Sequence, residues 1–378
     1  MTARATVPAL AVALLLSGCG GGEAPQRGVL GVGAILPLSG PDGRTGEQIL
    51  MGLELACDEE AAGPLATVRV IDGLGRPQES AAAFRELGAD PDIDVAIGGW
   101  FASTARAVAA TAATVPEESV LPFLALSPLA AGRETPASCF VLHRVEALAV
   151  AAAAFARTDL GARSAGVVRI PESEVSRQLA DAFAAAFPSG GARVAWDVTL
   201  SEDGTLALPP GPEPRVDVLY VAGPGSAALA ASSHSNRTRS AAVLTADGWS
   251  QTELSEMAAE GVPVYLVSAF SATDPTAANR KLLEACARAG HDPNPALALG
   301  WDAGRVARHA AARGGPSREG VRSALRAGAP FGAATGRIEF PPAGLGTETP
   351  AVSSLGRAGI VFLKRVEVGG SGPPAAGG

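Results

Sequence analysis

Residues 29–41 read Val29-Leu30-Gly31-Val32-Gly33-Ala34-Ile35-Leu36-Pro37-Leu38-Ser39-Gly40-Pro41, followed by Gly46 and then by Gly52-Leu53-Glu54-Leu55-Ala56. The run Val29–Leu36 is apolar without alternation, which marks a strand buried on both faces. Pro37, Ser39, Gly40 and Pro41 end it in a turn. A helical pattern over Gly46–Glu60 comes next. Buried strand, tight loop and helix form the opening of a β-α-β unit. That unit builds a parallel sheet with helices on both faces.

The same alternation continues outward to about residue 270. Further apolar runs lie at Val68–Ile71, Val95–Ile97, Leu121–Leu126, Ala165–Ile170, Val216–Val221, Ala242–Thr245 and Val262–Val267. Helical patterns fall between them at Glu79–Leu87, Thr104–Thr114, Glu146–Ala156, Glu174–Phe187, Ser226–Ser233 and Gln251–Ala259. So many strands exceed one sheet of usual width and predict two sheets of about four to six strands. A break near residues 133–145, with Gly132, Pro136 and Phe140–Arg144, separates them. Thr276–Ala289, Leu297–Arg313 and Ser317–Arg326 read as helices, and Gly336–Phe340 and Gly359–Val366 as strands. Residues 369–378 are Gly, Pro, Ala and Ser and predict a disordered tail.

The N-terminus carries a different signal. After Arg4 an apolar stretch ends in Leu14-Leu15-Leu16-Ser17-Gly18-Cys19. One basic residue, a short apolar run and small residues make a secretory signal peptide over residues 1–19. The run is too short for about 30 Å of hydrocarbon, which takes roughly 20 residues. The stretch resembles a bacterial lipobox, which implies lipidation of Cys19 and an exported, lipid-anchored domain in the cell envelope facing the periplasm or exterior. Residues 20–28 are Gly-, Pro- and polar-rich and predict a flexible tether.

Composition narrows the function. The chain of 378 residues is 47% hydrophobic and 18% charged, hence globular, and its length after the signal suits two domains. A net charge of −8 argues against nucleic acid, whose phosphates need a basic face. With Cys19 set aside, Cys57, Cys139 and Cys286 remain, giving either one disulfide and a free thiol or three buried thiols. No CxxC pair or His/Cys cluster suggests a metal, and no cofactor is implied. Gly31 and Gly33 form half of a dinucleotide fingerprint without its third glycine, and neither GxSxG nor a phosphate-binding loop occurs. Enzyme readings thus find little support.

Several motifs, in order, carry a resemblance. The opening Leu36-Pro37-Leu38-Ser39-Gly40-Pro41 with Gly46 and Gly52 is the first. Then come Val70-Ile71-Asp72, Ala96-Ile97-Gly98-Gly99 with Ala102-Ser103-Thr104, and Pro122–Pro128 with its Ser127-Pro128 loop. Arg144, Ala246-Asp247-Gly248-Trp249, Trp301-Asp302-Ala303 and Thr335-Gly336-Arg337-Ile338-Glu339-Phe340 complete the series. Together they resemble the Leu/Ile/Val-binding family of solute-binding lipoproteins of ABC transporters. The resemblance implies an α/β, two-lobed type I periplasmic-binding-protein fold. Each lobe is then a parallel sheet with helices on both faces, joined by three hinge crossings. Lobe 1 would take residues 29–143 with 271–345, and lobe 2 residues 144–270 with 346–368. A small amino-acid-like ligand would be clamped between the lobes of a monomer that docks on an ABC permease. A lipid-anchored sensor of the same fold, signalling to an envelope partner, is the alternative.

In such sheets ligands sit beyond the carboxyl ends of the strands. Ala102, Ser103 and Thr104 stand at a strand end before a helix, where a hydroxyl caps the helix or the N–H groups hold a carboxylate. Ser127, Leu129 and Ala131 form a second such loop; Pro128 has no N–H to offer, so the amides after it are the donors, unless the loop is an ordinary turn. The resemblance places Asp247 against a ligand ammonium group, and an Asx turn is the other reading. Trp100 and Trp249 lie in cleft loops where a ring stacks on a ligand or packs on a lobe surface. The family's usual aromatic cage is missing: Arg44 and Thr45 stand in the first loop, and Val175 opens the second-lobe helix. Arg44 either favours an acidic ligand or is a surface arginine.

Overall fold

A computed structural model describes residues 28–59, 65–127, 137–142, 144–171, 173–200, 215–223, 242–246, 256, 261–340, 348–356 and 359–369. Strand β1 (Val29–Leu36) leads through a short loop into α1 (Gly43–Cys57). Then follow β2 (Leu65–Asp72), α2 (Pro77–Ala89), β3 (Val95–Gly98), α3 (Ala102–Ala112), β4 (Phe123–Ala125) and β5 (Cys139–Val141). The five strands form one parallel sheet in the order β2-β1-β3-β4-β5.

The second unit starts with α4 (Val145–Thr158) and β6 (Ser164–Arg169). It continues through α5 (Glu174–Ala186), β7 (Arg193–Thr199), β8 (Val218–Ala222), β9 (Ala242–Ala246) and β10 (Val264–Ser268). The chain then forms α6 (Ala277–Ala289), α7 (Pro295–Gly314) and α8 (Arg318–Arg326), and a small hairpin of β11 (Phe331–Ala333) and β12 (Gly336–Ile338). Strands β13 (Ala351–Gly356) and β14 (Gly359–Arg365) end it. The second sheet has seven strands in the order β14-β13-β10-β9-β8-β6-β7.

The molecule therefore has two lobes of α/β build. Parallel pairing holds throughout β1–β5 and β6–β10, whereas β13 and β14 add antiparallel strands. Antiparallel neighbours need no crossover helix between them, so β13 and β14 follow each other closely in the chain. Strands β5, β7, β11 and β13 were not separate expectations. The first has only three residues, and β7 alternates in exposure because it is an edge strand. The expected helices Ser226–Ser233 and Gln251–Ala259 lie outside the described residues, apart from Glu256.

Packing explains the layers. In lobe 1, α1, α7 and α8 cover one sheet face, around Leu53, Ile97, Val306 and Val321, while α2 and α3 cover the other around Phe84, Val108 and Phe123. Helices α1 and α7 touch backbone to backbone: a Cβ on Gly300 would stand 2.0 Å from the Ile49 carbonyl oxygen, so only glycine permits the approach. Arg308, fully buried on α7, donates to the carbonyls of Ala56 and Glu59 at 2.5 and 2.6 Å and satisfies the end of α1. In lobe 2, Phe183 of α5 stacks on Tyr220 of β8 at 4.1 Å. Cys57, Cys139 and Cys286 are buried free thiols, and burial raises the first two to about 11 and about 12. Of the two cysteine readings, the three buried thiols are the one observed.

In chain order the fold passes from the first sheet to the second between β5 and α4, leaves it after β10, and returns to it between β12 and β13. The guanidinium of Arg365 knits the last two. It pairs with Asp274 at 2.5 Å and donates to the carbonyls of Ala334, Thr335 and Thr349 at 2.7 to 2.8 Å. Glu348 accepts from the backbone N–H of Arg144 at 2.5 Å and so ties the first crossing to the third.

Candidate functional site

Because β1, β3 and β4 run parallel, their carboxyl ends share one edge of the first sheet. The loops there are shaped by Asp72, at the end of β2, whose Oδ1 accepts from the N–H groups of Leu38 and Leu74 at 3.0 and 2.9 Å. Burial would raise this carboxyl; the Ser39 hydroxyl and these N–H groups outweigh it and hold Asp72 below the usual carboxylate range. Gly99 sits at φ +70, and a Cβ there would meet Ala105 at 2.9 Å, so glycine lets the chain turn from β3 into α3. Trp100 is half-buried against the lobe 1 core.

The start of α3 is open. Its cap residue is Phe101, which offers no side-chain acceptor to the first-turn N–H groups. Thr104 is buried and turns its hydroxyl back onto the Phe101 carbonyl at 2.8 Å. Of the two readings of Ala102–Thr104, side-chain capping is thus not the arrangement seen. Ala102 is buried and Ser103 half-buried at this helix start. First-turn N–H groups and the helix dipole favour an anion.

Lobe 2 presents the matching edge. The carboxyl ends of β6, β8, β9 and β10 point one way, because these strands are parallel. Between β6 and α5 the chain is laced tightly: Ser176 Oγ accepts from the Ile170 N–H at 2.8 Å, and Ser173 Oγ caps the Ser176 N–H at 3.2 Å. Glu174 and Val175 then open α5. Val175 is 48% exposed, an apolar side chain presented at a helix start.

Among the described residues, an ion pair joins the two edges. Arg106, on α3, donates from Nη1 and Nη2 to Oε1 and Oε2 of Glu174 at 2.7 and 3.3 Å. The hydrogen bond from Arg106 holds the Glu174 carboxyl below the usual range against the opposing effect of burial. This pair therefore ties the second turn of α3 to the first residue of α5. Sequence reading missed this pair: its members stand 68 positions apart and neither belongs to a motif. An acidic residue after Ser173 was the sole local hint.

Of the expected site residues, Ala102, Ser103 and Thr104 form the first turn of α3 and Val175 lies in the first turn of α5, the two helices that the Arg106–Glu174 pair joins. Ser127 is buried just past the end of β4, on the same edge as Trp100. Arg44 is exposed and Thr45 half-buried in the first turn of α1, where the Thr45 N–H donates to Asp42. Leu129, Ala131, Asp247 and Trp249 lie outside the described residues, as do Cys19 and the signal and tether up to residue 27. Among the described residues no His, Cys, Asp and Glu group is placed to hold a metal ion.

The chain matches the family model of periplasmic binding proteins over residues 30–349. It belongs to the periplasmic binding protein family. Solved structures agree with this fold. A leucine-binding protein from Thermotoga maritima shares 19% identity, covers 89% of this chain and 98% of its own, and gives a TM-score of 0.67. A solute-binding protein of an ABC transporter from R. palustris, in complex with benzoate, shares 20% identity over 91% and 98%, with a TM-score of 0.68. A branched-chain amino acid transporter substrate-binding protein from Streptococcus pneumoniae, in complex with isoleucine, shares 17% over 90% and 100%, at 0.66. No curated protein matches the chain. No helix among the described residues of this binding protein is long and apolar enough to cross a membrane.

Proposed function

We propose that this binding protein captures a small solute between its lobes and delivers it to an ABC importer. The observation that carries the reading is the Arg106–Glu174 pair, which links α3 and α5, two helices that start at the carboxyl edges of the two sheets. Ligand bridging both lobes favours closure through its differential contacts. The closed form docks on a permease. Lipidated Cys19 and the tether of residues 20–28 hold it at the membrane surface.

The ligand class is a small polar solute, an amino acid or an amide-like compound. The open N–H groups of Ala102, Ser103 and Thr104 receive the carboxylate, aided by the amides of Leu129 and Ala131 and by Ser127. Asp247 takes an ammonium group where the ligand has one, and Trp100 and Trp249 border its side chain. Val175, together with Arg44 and Thr45, replaces the aromatic cage with an open, mixed wall. The leucine-, isoleucine- and benzoate-related neighbours support this class, since those ligands all carry a carboxylate.

The test is a thermal-shift screen of amino acids, amides and small aromatic acids on residues 20–378. A specific ligand at 100 times its Kd adds about 2.7 kcal/mol of stability. Asp247→Ala then loses amine-bearing ligands and keeps the fold. A screen in which carboxylates and their amides stabilise equally removes the α3 start from the site.

A further inference from the structure

We propose that Arg106 and Glu174 form a clasp that holds the two lobes closed across the cleft, independent of any ligand. The pair is built from the chain itself and meets at two oxygens, a fork-to-fork geometry that is direction-sensitive. Each partner is set on a rigid element. Arg106 follows the buried Ala105 on α3. Glu174 stands at the first position of α5, where the helix dipole favours a carboxylate, and Gln178 Nε2 reaches its Oε1 at 3.4 Å.

The clasp differs in kind from the hinge bonds. Asp274, Glu348, Arg144 and Arg365 lie on or beside the crossing segments, so they stay together when the lobes swing apart. Arg106 and Glu174 lie on opposite lobes, so opening must separate them. Their side chains are 37% and 39% exposed, so water and ions reach the pair when it parts. Attraction between them fades within a screening length of about 8 Å at physiological salt. The clasp therefore acts as a short-range detent on the closed form and adds little pull on the open one. Both charges are spent on each other, which leaves recognition of the ligand to the neighbouring N–H groups and to other side chains.

The experiment is small-angle X-ray scattering on the ligand-free full-length chain, comparing wild type, Arg106→Gln, Glu174→Gln and the exchange R106E/E174R. Either single variant is expected to lower the closed-to-open ratio about two- to fivefold, seen as a larger radius of gyration. The exchange restores the wild-type radius, and high salt opens the wild type while leaving the single variants unmoved. Single variants with the wild-type radius and salt response overturn the clasp. So does an exchange variant that is folded by circular dichroism yet as open as the singles. Because no ligand enters, a failed clasp leaves the ligand-binding reading standing, and a failed ligand screen leaves the clasp standing.

Discussion

The lobes are joined by arginine–carboxylate pairs in two places, and the two are unlike. At the hinge, Arg365 meets Asp274, which has 0% of its side chain exposed, and the guanidinium spends its remaining N–H groups on carbonyls of both the crossings and the β11–β12 turn. Across the cleft, Arg106 meets Glu174 with more than a third of each side chain in water. Burial makes the first pair part of the framework: with its partner gone, neither ion has water to fall back on. Exposure makes the second pair reversible, since each ion is solvated once they separate. A hinged binder needs both kinds, one to keep the axis and one to let go.

Asp274→Ala should produce the largest effect. It leaves the Arg365 guanidinium without its carboxylate and should cost about 3–5 kcal/mol in urea unfolding. A loss below about 1 kcal/mol would erase the distinction between hinge and cleft. Asp72→Ala comes next. It frees the N–H groups of Leu38 and Leu74 at the rim of lobe 1 and should cost about 1–3 kcal/mol, with faster hydrogen exchange at those two amides. Unchanged exchange there would mean the loop holds its shape without Asp72.

Acid should discriminate between the two regions. Glu174 has a lowered pKa, so its stabilising contribution is fully present above the unfolded value of about 4.3 and is lost as pH falls through the folded value. Solvent screening limits this to under about 1 kcal/mol. The radius of gyration should thus hold from neutral pH down to the usual carboxylate range and grow only below it, before global unfolding, and should not do so in Glu174→Gln. Smallest of all is the effect of Arg106→Ala on global stability, about 0.5 kcal/mol by chemical denaturation. A loss comparable to that of Asp274→Ala would place the pair in the framework instead.

Much of the fold was readable because burial on both faces leaves an unbroken apolar record: Val29–Leu36 was bounded to the residue. The strands missed, among them β5, β7 and β13, left a weaker record. Cys139–Val141 is too short for a pattern, Arg193–Thr199 exposes alternate residues, and Ala351–Gly356 mixes serines with apolar residues. At the site, the segment 102–104 was legible from its place between strand and helix. Its chemistry was only half legible: the hydroxyl of Thr104 turned out to face its own backbone, leaving the helix start uncapped.

The amino-acid order alone thus determined the alternation of buried strands and helices and the division into two sheets, because each is a local pattern of apolar and turn residues. Tertiary structure alone decided which charges meet. Arg106 finds Glu174 from 68 positions away, and Arg365 finds Asp274 from 91. A charged residue in solvent leaves no periodic trace of its partner; the docking of one sheet against the other selects it.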